Sequence, residues 1–97
     1  MLSCQRDDGV LAISGDLQVQ HLADLVQALS ACVDLPQDLV LDLTGVMAAD
    51  LAGLQLLLAF LRSRPPQVST RLSGLRPPLL NALELTGLDK HLAAYLA

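Results

Sequence analysis

Apolar and polar positions alternate in short blocks along this chain, and the period of each block predicts its element. Val10-Leu11-Ala12-Ile13 is a short apolar run stopped by Ser14-Gly15-Asp16, which suits a strand. Leu2 to Arg6, ahead of Asp7-Asp8-Gly9, suits its hairpin partner. Leu22, Leu25, Val26, Leu29 and Val33 then recur at helical spacing, with Gln20, His21, Asp24, Gln27 and Ser30 between them. Pro36 closes that helix's connection. Leu39-Val40-Leu41-Asp42-Leu43 is a compact apolar run of strand length, as a buried central strand should look, and the intervening helix predicts parallel pairing with the earlier strand.

A loop over 44–50 should lead to a second helix from about Leu51 to Arg62. At about 100° per residue, Leu54, Leu56, Leu57, Leu58, Phe60 and Leu61 share one broad arc of that helix, while Gln55, Ala59 and Arg62 fill the rest. Leu51 falls on the border of the wet side, and Asp50 is placed to cap the first turn. Val68 to Ser73 alternates like a strand with one wet face. Pro77-Pro78 can open a helix running to Thr86 with Gly87 just beyond its end, and Asp89 can cap a last short helix to Leu96. The order β-β-α-β-α-β-α-α predicts an α/β fold: a small mixed sheet of roughly four to five strands with about four helices against it.

Composition narrows the possibilities. A chain of 97 residues fits one domain, 1–97, with enough core to fold alone. Apolar residues are 53% of the chain, but Pro and Gly divide them into segments too short to span a bilayer, so no membrane insertion is expected. The N-terminal residues lack the basic-then-apolar order of a secretion signal, so a cytoplasmic location is the expectation. Phe60 and Tyr95 are the only aromatics and the net charge is −4, which together disfavour nucleic acid as a partner.

Candidate chemistry is sparse. Cys4 and Cys32 lack a CxxC or metal-ligand spacing and read as packing residues; His21 and His91 lack nearby co-ligands and read as surface residues. Arg62 and Arg64 read as the solvated basic end of the second helix. No nucleophile triad, zinc-protease or phosphate-loop spacing occurs, so neither an enzyme nor a cofactor is expected. Asp42 and Asp50 each have a structural task already, which leaves no metal site in the expectation.

The segment from Asp42 to Leu54 carries the most information. It reads Asp42-Leu43-Thr44-Gly45-Val46-Met47-Ala48-Ala49-Asp50-Leu51-Ala52-Gly53-Leu54. It resembles the pattern D-L-S-G-V-x-x-x-D-S-A-G-L of the STAS family, the sulfate transporter and anti-sigma-factor antagonist domains. Ser14-Gly15-Asp16-Leu17 and Leu83-Glu84-Leu85-Thr86-Gly87-Leu88-Asp89 resemble two further family segments, in the right order. Gly53 to Leu58 is similar to a subgroup often encoded beside chemotaxis genes.

The resemblance implies the STAS fold, with Gly15, Asp42 and Gly53 as its structural signature, and a non-enzymatic regulatory domain that binds a protein. The residue after the second Asp is the Ser or Thr that a partner kinase phosphorylates in the family's anti-sigma-factor antagonists. That position is Leu51 here, which has no hydroxyl, so the usual switch cannot operate. Thr44 and Ser63 do not match the phosphorylated position. The expected contact surface is Ala48, Ala49, Asp50, Leu51, Ala52 and Gln55. The expected partner is a kinase-like anti-sigma factor or a chemosensory or two-component protein; the alternative is the ATPase of a lipid-trafficking ABC transporter, with this chain as its accessory subunit.

Overall fold

The structure is a computed structural model and describes residues 2–18, 20 and 22–96. The expectation for His21 lies outside the described residues.

Two strands open the chain, β1 (Leu2–Asp7) and β2 (Val10–Leu17). They pair antiparallel from Leu2↔Gly15 to Asp7↔Val10. Asp8 and Gly9 between them both take positive φ, 44° and 85°, which matches the twist of the flanking strands and accounts for the Asp-Gly sequence. Helix α1 (Leu22–Ser30) then crosses to β3 (Leu39–Ala49), and α2 (Leu51–Ser63) to β4 (Thr70–Ser73). Both crossovers give parallel pairing, and the sheet order is β1-β2-β3-β4. α3 (Pro77–Thr86) follows, then α4 (Asp89–Leu92) and a 3-10 turn over Ala93–Tyr95. Leu96 bridges to Leu72 beside the last strand.

The alternation of burial shows how the layers meet. Leu11 and Ile13 of β2, Leu39, Leu41 and Leu43 of β3, and Leu72 of β4 share one core with Leu25 and Leu29 of α1, Leu54, Leu57 and Leu61 of α2, and Leu79 and Leu83 of α3. Ser3, Gln5, Val10, Ser14, Thr44 and Arg71 project the other way and are exposed. The molecule is therefore two layers, helices over one face of a sheet whose other face is wet.

Four expectations change. Residues 44–49 continue β3 rather than forming a loop, and β2 runs on to Leu17. The pairing slips between Ala12 and Ser14 and again between Gly15 and Asp16, each time with an extra residue on β3. The buried phase consequently moves from Leu43 to Val46, and this break in alternation is what makes the sequence read as a loop. Gly45 permits the close pairing: a Cβ there would lie 2.5 Å from Ser14 Cβ.

Arg64 is not solvated. It is 7% exposed; its Nε donates to Thr70 Oγ1 at 2.9 Å, its Nη1 to the carbonyls of Cys32 and Leu35 at 2.9 Å and Val33 at 3.2 Å, and its Nη2 to Gln37 O. A guanidinium has the fork of donors to satisfy a whole loop at once, and here it ties the 32–37 connection to the end of α2. Asp89 lies inside the first turn of α4, whose N-cap is Leu88, because Gly87, at φ 75°, ends α3 and its neighbour Leu88 already bonds back to Leu83 O at 3.1 Å.

Candidate functional site

A single residue, Asp50, separates β3 from α2. Its backbone is extended, at φ −113° and ψ 176°, and its carboxylate accepts the Gly53 N–H at 2.9 Å, the geometry of an N-cap. Its own N–H donates to Leu17 O at 2.9 Å. Gly53 lies against the same carbonyl: a Cβ there would stand 2.3 Å from Leu17 O. The first turn of α2 is thus seated directly on the end of β2, and only glycine allows that approach.

This seating decides which side chains point out. Leu54 and Leu17 are fully buried, whereas Leu51 is 47% exposed and Gln55 is exposed. Ala48, Ala49, Asp50 and Ala52 are half-buried. The expected contact residues therefore occupy one continuous stretch at the strand-to-helix junction, in which small side chains flank one protruding leucine. Met47, 61% exposed, extends the apolar surface beyond the residues that helical geometry identifies. The first slip in β3, between Asp42 and Gly45, moves the inward position to Val46 and so turns Met47 outward, and the pattern of apolar residues alone gives no sign of it.

The other signature residues are placed as scaffolding. Gly15 sits at the slip in β2 with φ 102°, where a side chain would be strained. Asp42 Oδ1 accepts from Thr44 N at 3.0 Å and Thr44 Oγ1 at 2.6 Å, and these two bonds, the hydroxyl's first, hold the Asp42 carboxyl below its ordinary pKa. The Thr44 hydroxyl is committed to that turn, and Gly74, at φ 75°, packs so tightly beneath it that a Cβ would meet Thr44 Oγ1 at 2.2 Å. Ser63 Oγ is likewise engaged, donating to Ala59 O at 2.8 Å. Asp42 and Asp50 stand at opposite ends of an extended stretch, roughly 25 Å apart along β3, so they do not converge. Among the described residues no group of three or more His, Cys, Asp or Glu is placed to hold a metal ion.

The family model described as "Mlab, STAS domain" matches residues 1–96. The chain belongs to the STAS domain family. No curated protein matches this STAS domain at a significant level. Among solved structures it is similar to an anti-sigma factor antagonist from Mycobacterium paratuberculosis, with 26% identity and a TM-score of 0.71 over 98% of this chain and 92% of that one. The mixed sheet and helix order described above are thus those of the antagonist fold. Among the described residues no helix is long and apolar enough to cross a membrane.

Proposed function

We propose that this STAS domain is a non-enzymatic, cytoplasmic regulatory module that docks a protein partner through the junction of β3 and α2, with Leu51 as the apolar centre of the contact. The observation that supports it is the protruding Leu51, 47% exposed at the position where the family's antagonists carry the phosphorylated Ser or Thr. A phosphate there would meet the free N–H groups and positive end of the helix. Leucine removes the acceptor and leaves a surface that a kinase cannot turn off. The partner that fits the resemblance is a kinase-like anti-sigma factor or a chemosensory or two-component protein, and with either the domain would act in bacterial signalling upstream of transcription.

The same leucine favours a second reading. A contact that cannot be switched suits a lasting complex, as an accessory subunit on an ABC ATPase would make. Gene neighbours separate the two: a sigma factor, kinase or receptor gene supports the first, an ABC ATPase and permease the second.

Affinity capture from the source cell with wild type and Leu51→Glu tests the surface. The charged variant should lose the specific partner while keeping its fold; equal recovery by both would show that this is not the docking surface. Leu51→Ser incubated with ATP and kinases of the same genome should become phosphorylated if the surface descends from a kinase-switched one.

A further inference from the structure

Cys4 and Cys32, 28 positions apart in the chain, both face one cleft between β1 and the turn that follows α1. Both line one cleft of about 310 Å³, whose other walls are Arg6, Leu11 and the small side chains of Ala28 and Ala31. A neighbouring cleft of about 380 Å³ again has Cys4 in its wall, with Asp24 and Gln27. Both thiols are free. Their exposure differs: Cys4 on β1 is half-buried and Cys32 is 2% exposed. Cys32 is also held in place, since its carbonyl accepts from Arg64 at 2.9 Å and its N–H donates to Leu29 O at 3.0 Å.

We infer that Cys4 and Cys32 are an oxidative modification site, closing to an intramolecular disulfide when a small-molecule disulfide such as oxidised glutathione reaches the cleft. The exposure sets the order of events. The Cys4 thiolate attacks one sulfur of oxidised glutathione, forming a Cys4–glutathione mixed disulfide and expelling one glutathione thiolate, which takes up a proton. Cys32, having lost its proton to water, then attacks the Cys4 sulfur, forming the Cys4–Cys32 bond and releasing the second glutathione. Two protein thiols are oxidised and one glutathione disulfide is reduced to two thiols. Burial first, then the negative charge of Asp24, then Cys32 itself raise the Cys4 thiol above its ordinary value, so the first attack is slow at neutral pH and the pair stays reduced in a reducing compartment. The bond staples the edge strand β1 to the turn that follows α1, and its loop closure stabilises the fold.

Native wild-type protein treated with oxidised glutathione at alkaline pH, then alkylated and weighed intact, tests the inference. The expected product is a monomer with both thiols blocked to alkylation and no glutathione attached, yielding a Cys4–Cys32 peptide pair on digestion. Cys32→Ser should stop at the mixed disulfide on Cys4, and Cys4→Ser should remain unmodified until denatured. Wild type that stops with one glutathione on Cys4, that forms a disulfide only when unfolded, or that links two chains overturns the site.

Discussion

At the scale of single residues, the fold depends on a few side chains whose importance their type does not announce. Arg64 donates to four carbonyls of the 32–37 connection and to the Thr70 hydroxyl. Arg64→Ala should cost about 3 kcal/mol or more, and Arg64→Lys most of that, because an ammonium cannot reproduce the fork. Urea unfolding checks both. Gly53→Ala gains about 1 kcal/mol of helix propensity. It should nonetheless destabilise by roughly 1–3 kcal/mol, since the new methyl meets Leu17 O at 2.3 Å and a backbone oxygen cannot swing aside. A neutral or stabilising outcome by the same measurement would mean that α2 is not seated on β2 as described. Asp42 supplies a pH dependence. Its folded pKa is lowered by Thr44, so its contribution is fully present above the ordinary carboxylate value and is lost as pH falls through the lower folded value. In thermal melts between neutral pH and pH 3, Asp42→Asn should flatten the acid end of the curve slightly, because the bonds its carboxylate accepts lie at the exposed surface.

At the scale of elements, most of the architecture was legible because period and punctuation agree. The hairpin through Asp8-Gly9, the apolar run of β3, the 3.6-residue stripe of α2 and the Gly87 stop of α3 each appear in the sequence at the place the structure gives them. The failures have one physical origin: a pattern read locally misses what a distant segment supplies. Residues 44–49 remain a strand only because β2 pairs with them across two slips, and Gly45 looks like a turn residue until Ser14 is found against it. Arg64 looks like a helix-end cation until the 32–37 carbonyls are found around it. The candidate surface was legible at Asp50, Leu51 and Gln55 from helical geometry, and Met47 was not, since its outward turn follows from the first slip.

At the scale of the molecule, the parts form a rigid seat with one variable feature. β2, β3 and the first turn of α2 are locked by the Leu17 carbonyl, Asp50 and Gly53, and this lock leaves Leu51 standing out of an otherwise buried row of leucines. On the function proposed above, the intact seat keeps the candidate docking surface while Leu51 removes the phosphate acceptor that the family resemblance implies. Leu51 makes little contact with the core, so replacing it should change binding with little effect on folding. The direct test is calorimetric titration of the captured partner with wild type and Leu51→Glu, each shown to unfold at the same urea concentration. The domain described here predicts at least about a tenfold loss of affinity, on the order of 1.4 kcal/mol. Equal affinity for the two proteins would contradict it.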